Sequence, residues 1–313
     1  MPTSPPAAAE AAAEPAAAAA APVRARSPRG RATPYLFLAP ALVVYGAFLL
    51  FPLARAVQFS FYDYDGLTVG TFVGLRNYAA VLTDEGLREA FGHALVLIAF
   101  FALLPLLIGF VLAALLVRSR VRGLPLFRTV VFLPQVIAMV VVAVAWRRIY
   151  APDGTLNELL RGVGLDGLAR TWLGDYATAL PAVGVIGTWY STGLVTVLLM
   201  AGMARVPKEL YEAASLDGAS PARQLRALTL PAIRPEIAVA LTLTIIAALK
   251  TFDLVYVTTG GGPGTSTTVP SYEVYRRAFE LGEVGAAAAV GVVLTVLIFG
   301  INLVVNRVAD RSR

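Results

Sequence analysis

The chain has 313 residues, 58% hydrophobic and 15% charged, with a formal net charge of +6; because soluble domains carry charges on about a quarter of their residues, an ordinary soluble enzyme is excluded. The lack of cysteine and the single histidine, His93, exclude disulfides, thiolate catalysis and metal sites built on cysteines or histidine pairs. Neither of the two lysines, Lys208 and Lys250, follows a glycine, which excludes the Gly-Lys-Ser/Thr phosphate loop of many ATPases. The class of protein that remains is a multi-pass membrane protein.

Residues 1–33 form a separate segment at the start of the chain, and alanine and proline dominate residues 1–22. The basic residues that follow are Arg24, Arg26, Arg29 and Arg31. Such a composition cannot bury a core, so it predicts a disordered tail. The basic cluster directly precedes a long apolar run, which indicates a cytoplasmic tail and not a cleaved signal peptide.

Six apolar segments follow, each of about 20 residues or more, the length of helix that crosses the hydrocarbon core of a bilayer. They cover residues 35–59, 90–117, 127–146, 179–203, 237–257 and 284–305. Internal prolines and glycines are tolerated in membrane helices because neighbouring helices satisfy the freed carbonyls. We therefore predict an all-α integral membrane protein with six transmembrane helices.

The distribution of basic residues indicates the orientation of these helices. The two ends of the chain and the loops after the second and fourth segments carry about twice as many arginines and lysines as the other loops. Because basic residues are enriched in cytoplasmic loops, both termini are predicted to lie in the cytoplasm.

The loop after the fourth segment, residues 206–235, is longer than a minimal connector and contains helix signals. Gly218 suits a left-handed cap at the end of a first helix, and Ser220-Pro221 suits the start of a second helix, which Pro231 ends. The apolar patch of the first helix consists of Leu210, Ala213 and Ala214. Two functions are open for this pair of helices: a cover for the inner end of the bundle, or a docking element.

The same loop resembles the EAA loop of ATP-binding cassette (ABC) importer permeases. Glu212-Ala213-Ala214, Gly218 and Leu230-Pro231 match the family pattern EAA-x3-G-x9-I-x-LP, with Leu228 in place of isoleucine. Other stretches resemble the sugar-importer branch, of the maltose-transporter type, and the resemblance covers about residues 34–307. They are FLAPAL (37–42), FYDYD (61–65), FVGLRNY (72–78), FRTVVFLP (127–134), PKELYEAASLDGAS (207–220) and KTFDLVYVTTGGGPG (250–264).

The resemblance implies the type I ABC importer permease fold, with residues 34–313 as the permease domain and residues 204–236 as its coupling loop. It implies that helix 208–217 couples to an ATPase. The implied coupling residues are Glu212, Ala213, Ala214, Gly218, Leu230 and Pro231.

The resemblance also implies the partners of the chain. They are a second homologous permease subunit, two ATPase subunits, an extracytoplasmic sugar-binding protein and membrane lipid, without nucleic acid. ATP and magnesium are expected on the ATPase subunits, so the chain is expected to bind no cofactor or metal and to be a transport subunit and not an enzyme. The expected location is the plasma membrane of a prokaryote.

Two segments carry candidate residues of the substrate pathway: Trp189, Tyr190, Ser191, Lys250, Thr251 and Asp253. In the fourth segment, aromatic faces can stack on sugar rings beside hydroxyl groups, and in the family this region lines the pocket. In the fifth, Lys250 and Asp253 lie within the hydrocarbon layer at a three-residue spacing, which predicts one helical face on which an ion pair can form. In the functional interpretation, this face lies opposite the aromatic residues of the fourth segment across the pathway. Each segment also has a structural alternative. The aromatic residues of the fourth segment could serve only in packing, and Lys250 and Asp253 of the fifth could serve only to neutralise each other.

Two other functional classes compete with a carbohydrate-importer permease. A stand-alone secondary transporter or channel for a small polar solute would carry ion-relay residues on several spans and internal repeats, whereas only the fifth segment has such charges. A membrane-embedded enzyme would need paired acids, a histidine cluster or a nucleophile with its base, and the apolar segments contain none of these.

The predicted orientation is testable because the chain has no cysteine. Ser220→Cys should react with an impermeant maleimide from the cytoplasmic face of the membrane and Thr265→Cys from the opposite face, with the cysteine-free parent as control. Labelling of both variants from the same face would contradict the orientation.

Overall fold

The computed structural model describes residues 33–118 and 123–310, and most of this backbone is helical. The tail predicted for residues 1–33 therefore lies, except for Thr33, outside the described residues. The chain divides into two compact units, residues 1–52 and residues 53–313. The described part of the first unit is helical throughout.

The elements of the first half of the chain alternate long helices with short connecting elements. They are α1 (Thr33–Tyr45), a π-helical turn (Gly46–Leu50), α2 (Phe51–Phe59), β1 (Tyr62–Asp63), β2 (Thr71–Phe72), α3 (Arg76–Thr83), α4 (Glu85–Ile98), a π-helical turn (Ala99–Leu103), α5 (Leu104–Arg118), α6 (Leu124–Val136), α7 (Met139–Ile149), α8 (Thr155–Gly162) and a 3-10 turn (Asp166–Leu168). The two strands pair antiparallel, with Tyr62 opposite Phe72.

The second half of the chain contains the longest uninterrupted helices. Its elements are α9 (Ala179–Met203), α10 (Lys208–Leu216), α11 (Pro221–Gln224), a π-helical turn (Leu225–Thr229), α12 (Leu230–Ala232), α13 (Arg234–Leu249), α14 (Asp253–Thr258), α15 (Pro270–Tyr275), a π-helical turn (Arg276–Glu280) and α16 (Val284–Asp310).

Within the described residues, four helical stretches are long and apolar enough to cross a membrane: residues 37–59, 85–117, 179–203 and 284–309. The number rises to six if each of two bent helix pairs counts as one span. These pairs are α6 with α7, bent by 98°, and residues 221–232 with α13, bent by 69°. The all-α membrane fold predicted from the sequence is confirmed, and the fourth predicted span coincides with α9.

The third predicted span, residues 127–146, is not one straight helix. α6 ends at Val136 and α7 begins at Met139, because Ile137 and Ala138 between them have extended backbone. Pro134 lies in the last turn of α6 and has no N–H to donate to a carbonyl four residues earlier, which weakens that turn. Both helices are apolar, so the hydropathy of the sequence does not reveal the bend.

The fifth predicted span, residues 237–257, is also interrupted. α13 ends at Leu249, and α14 begins at Asp253. The prediction that Lys250 and Asp253 share one helical face is therefore wrong, and no ion pair joins them among the residues that the structure describes. The physical cause is a tightened last turn, in which the N–H of Thr251 bonds to the carbonyl of Ala248 only three residues back.

Glycines of α9 allow the second span to pack closely against it. The ring of Phe100 occupies the space beside Gly184, and the ring of Phe101 occupies the space beside Gly187, so that a Cβ at either glycine would overlap a ring. The hydroxyl of Thr188 donates a 2.7 Å hydrogen bond to the carbonyl of Phe100. This bond satisfies a carbonyl of the π-helical turn at residues 99–103, where the helical hydrogen-bond pattern is disturbed.

This packing predicts that Gly187→Ala destabilises the protein. The added Cβ would overlap the ring of Phe101, which is itself 1% exposed and has little room to move. Overpacking of a core costs about 1–3 kcal/mol, so the melting temperature in detergent should fall. The matched control is Gly92→Ala in α4, where an added Cβ meets no atom within 4 Å, and which should keep or raise the melting temperature. Equal melting temperatures for the two variants would contradict this packing.

Candidate functional site

The hairpin of residues 206–235 has the caps that its sequence predicts. Gly218, after the end of α10, has a φ of +75°, which is the left-handed conformation. Ser220 caps α11 by accepting a 3.4 Å hydrogen bond from the N–H of Arg223. The second helix runs from Pro221 through the π-helical turn to Ala232, so that it ends one residue after Pro231, close to the end that the sequence predicts.

The coupling residues predicted from the sequence lie on the two arms of this hairpin. On the first arm, α10 has no buried residue, and Glu212 and Ala213 are exposed. On the second arm, Leu230 is half-buried and Pro231 is exposed. The hairpin thus presents the surface of α10 for contact and does not bury it against the spans.

Two cavities adjoin the hairpin. One, of about 500 Å³, lies between the hairpin and the adjoining ends of α5, α6 and α9. Its polar lining consists of Arg128, Lys208, Tyr211, Glu212, Gln224 and Thr229. The other, of about 490 Å³, is mostly apolar and lies between the end of α9 and both arms, with Leu210 and Pro231 in its lining. At the base of the hairpin, an ion pair joins Arg205 to Glu236.

The pathway candidates on α9 differ in their access to the surface. Trp189 is 41% exposed, whereas Ser191 is 2% exposed. The edge of the Trp189 ring meets the ring of Trp146 on α7, with centroids 5.6 Å apart. The side-chain amide of Gln135 donates a 2.8 Å hydrogen bond to the carbonyl of Tyr190. α9 therefore presents an exposed aromatic face, which α6 and α7 hold in position.

The exposed ring of Trp189 is one end of a longer row of aromatic rings that leads into the core. From Trp189 it continues through Trp146 and Tyr150 to Trp172, with the last two centroid distances 5.2 and 6.3 Å. Burial raises the pKa of Tyr150 to about 12, so its hydroxyl stays protonated and can donate to the carbonyl of Ala182, 3.4 Å away. The four-residue spacing of Trp146 and Tyr150 predicts that these two rings are neighbours on one helical face. Trp189 and Trp172 are distant in the sequence and meet this pair only in the folded chain.

The pathway candidates of the fifth span lie at its break. Lys250 and Asp253 are exposed and Thr251 is buried. The guanidinium of Arg147 on α7 donates a 3.3 Å hydrogen bond to the carbonyl of Val257, at the end of α14. The structure therefore brings Trp189 of α9 and the end of α14, the helix that Asp253 begins, against the same helix, α7.

A second aromatic group, which the sequence does not predict, follows the break. It consists of Phe252, Tyr256, Tyr272, Tyr275 and Phe279. Tyr256 contacts both Phe252 and Tyr275, each with a centroid distance of 5.2 Å. The pKa of Tyr275 is raised mainly by its side-chain hydrogen bond with Tyr256 and, to a smaller extent, by electrostatic repulsion from the same residue. The rings come from two segments about twenty residues apart, which is why periodicity within either segment does not predict the group.

Charges hold the segment that carries these rings. The side chain of Arg277 is 14% exposed and lies within 3.4 Å of three carboxylates, those of Asp84, Glu273 and Glu283. Arg276 pairs with Glu273 at 3.0 Å, and the hydrogen bond with this carboxylate raises the pKa of Arg276. Among the described residues, no group of three or more histidine, cysteine, aspartate or glutamate side chains could hold a metal ion.

Known proteins resemble this chain over most of its length. The family model described as "Binding-protein-dependent transport system inner membrane component" matches residues 106–313. The probable ABC transporter permease protein YurN of Bacillus subtilis is 37% identical to this chain over 88% of this chain and 95% of its own length. The trehalose/maltose transport system permease protein MalF of Thermococcus litoralis is 33% identical over 89% and 94% of the two chains.

Solved structures show the same fold. A chain of a bacterial ABC transporter involved in the import of the acidic polysaccharide alginate aligns with a TM-score of 0.78 at 24% identity, covering 90% of this chain and 96% of that one. The alginate transporter in complex with an alginate pentasaccharide-bound periplasmic protein aligns with a TM-score of 0.76, also at 24% identity, and covers the same shares of both chains.

Proposed function

Because the chain belongs to the family of inner membrane components of binding-protein-dependent transport systems, we propose that it forms half of the translocation pathway of an ATP-driven carbohydrate importer. It is a multi-pass ABC transporter permease of the plasma membrane, and a transport component rather than an enzyme. The name of the Thermococcus litoralis relative supports a sugar as the substrate class.

The observation that carries the choice of a carbohydrate is the aromatic face at Trp189. An aromatic ring lies well against the apolar face of a sugar ring, and the sugar's hydroxyls then need polar partners at its edge. Lys250 and Asp253 are exposed at the break after α13. Among the described residues, no ion pair joins these two side chains. They are proposed to supply those partners, with Tyr190, Ser191 and Thr251 as the neighbouring residues of the pathway.

Coupling is proposed to occur at the hairpin. α10 exposes Glu212 and Ala213 on a helix without buried residues, so an ATPase subunit can contact it without displacing a core. Alanines allow a close approach of the partner's backbone, and Glu212 offers a charge for hydrogen bonds. The chain is proposed to bind neither ATP nor magnesium, both of which belong to two ATPase subunits.

Two further partners complete the proposed assembly. A second, homologous permease subunit is proposed to supply the other half of the pathway, as is usual in this family. An extracytoplasmic binding protein is proposed to deliver the sugar, and the alginate transporter that shares this fold was solved with a sugar-loaded periplasmic protein.

The coupling role predicts that Glu212→Lys and Gly218→Asp weaken the binding of the ATPase subunits. The first reverses a charge at the contact. The second places a side chain on a backbone with φ of +75°, a conformation that residues with a Cβ disfavour. Loss of a hydrogen bond to a charged group lowers affinity about tenfold or more, measurable by co-purification and by ATP-dependent uptake in proteoliposomes. Arg223→Glu, an equally large charge change at an exposed position of α11, should leave both unchanged. Wild-type uptake in both test variants would refute the assignment.

The pathway role predicts that Trp189→Ala and Lys250→Met lower sugar uptake while basal ATP hydrolysis persists. Loss of one aromatic stacking contact corresponds to about a threefold to tenfold loss of affinity, measured with radiolabelled maltose and trehalose in the presence of the binding protein and ATPases. Phe299→Ala, which removes a 70% exposed ring of α16, is the matched control. If uptake kinetics across competing sugars are unchanged in both test variants, this face is structural.

A further inference from the structure

The cavity of about 500 Å³ beside the hairpin is lined by charged side chains that form no ion pair within the described chain. They are two cations, Arg128 of α6 and Lys208 of α10, and one carboxylate, Glu212. Arg205, at the base of the same hairpin, is by contrast paired with Glu236. With two positive charges and one negative charge in its lining, the cavity has an excess of one positive charge.

The uncharged polar side chains of this cavity already have partners within the hairpin. The hydroxyls of Tyr211 and Thr229 lie 2.8 Å apart, and the side-chain amide of Gln224 donates a 2.9 Å hydrogen bond to the hydroxyl of Ser215. Gln224 and Thr229 are buried. These bonds fix the shape of the polar wall, so the charged side chains are the groups that attract a ligand.

The opposite wall of the cavity is apolar and continues along the exposed surface of α5. Ala114 lines the cavity, and Leu107 and Val111 precede it at positions i, i+4 and i+7 of one helical face. Leu107 is 63% and Val111 55% exposed, and residues 104–117 contain no charge. An exposed apolar stripe therefore leads along a membrane span to a cavity with an excess positive charge.

An apolar stripe that ends at unpaired cations matches the two parts of a phospholipid. A phosphodiester carries one negative charge, which equals the excess charge of the cavity, and an arginine can donate two parallel hydrogen bonds to its oxygens. A zwitterionic headgroup adds no net charge and leaves the excess uncompensated. The cavity lies within the range of about 300–1,000 Å³ that is usual for ligand sites, and α5 provides the apolar surface for acyl chains.

We propose that this cavity binds the headgroup of an anionic phospholipid, with Arg128 and Lys208 at the phosphate and the acyl chains along the stripe of α5. Basic pockets between transmembrane helices on the cytoplasmic side are suited to such headgroups, and the hairpin is predicted to lie on that side. The site goes beyond the proposed function, because it lies apart from the sugar pathway candidates and its occupation needs neither sugar nor ATP.

The test counts the lipid molecules retained by the full chain, together with the subunits that co-purify with it, in native mass spectrometry. Dioleoylphosphatidylglycerol is compared with dioleoylphosphatidylcholine and dioleoylphosphatidylethanolamine, which have the same acyl chains without a net charge. Glycerol 3-phosphate and inorganic phosphate supply the charge without acyl chains. The parent should retain phosphatidylglycerol at concentrations at which the other four compounds do not bind.

Two variants alter the site in different ways. Arg128→Gln should weaken the binding of phosphatidylglycerol about fivefold, the factor expected for one basic side chain near anionic lipid, whereas Arg128→Lys should retain most of the affinity. Ala204→Trp fills the cavity without a change of charge, at an exposed position with a helical backbone, and should also weaken binding. The matched control is Arg226→Gln, which removes a charge from an exposed position of the hairpin outside the cavity lining and should bind as the parent does.

Four results would overturn the lipid site. Equal retention of a zwitterionic lipid would show that acyl chains alone determine binding, and equal binding of glycerol 3-phosphate or inorganic phosphate would show a site for small anions. Equal losses in Arg128→Gln and Arg226→Gln would show a general effect of surface charge. Unchanged retention in both Arg128→Gln and Ala204→Trp would place the lipid elsewhere. A melting temperature equal to that of the parent shows that each variant is folded.

Failure of the lipid site and failure of the proposed function give different results. Lipid retention is measured without sugar or ATP, so loss of coupling in Glu212→Lys or of uptake in Trp189→Ala leaves it unaffected. If those two variants behave as expected while Arg128→Gln retains phosphatidylglycerol as the parent does, only the lipid site is wrong.

Discussion

The close contact between α9 and the turn that carries Phe100 and Phe101 is the constraint on which the rest of the described membrane fold depends. Helices within a lipid bilayer gain little from the hydrophobic effect on association, so they are held by close packing and by hydrogen bonds. Gly184 and Gly187 provide the packing, because each leaves the space that a phenyl ring fills. Thr188 provides the hydrogen bond, to the carbonyl of Phe100.

Several features of the functional surface follow from the fixed position of α9. Trp189 follows Thr188 directly, so the helix contact that orients Thr188 also directs the indole toward Trp146 of α7. The hairpin begins where α9 ends, and the Arg205–Glu236 pair ties that end to the start of α13. The direction of the indole and the starting point of the hairpin therefore both depend on the packing of α9.

Local sequence signals predicted the features that depend on neighbouring residues. The left-handed Gly218 and the cap at Ser220 are set by backbone chemistry within a few residues, and both were identified from the sequence. The breaks at residues 137–138 and 250–252 were not, because an apolar window has the same composition whether its helix is straight or bent. The ring contacts of Trp146 and Tyr275 depend on distant segments meeting, which no periodicity within one segment encodes.

The charged residues separate into two kinds of environment, and the difference bears on where transport occurs. Arg277 is mostly buried among three carboxylates, as a charge away from water must be, and such a cluster fixes a structure. Lys250 and Asp253 are exposed and not paired with each other, an arrangement that is stable within a membrane protein only beside water or a polar ligand. The break between them also separates α13 from α14, which Arg147 ties to α7. Lys250 therefore follows the end of one helix and Asp253 begins the next, so that the two charges lie on separate helices and can contact different parts of a polar ligand instead of each other.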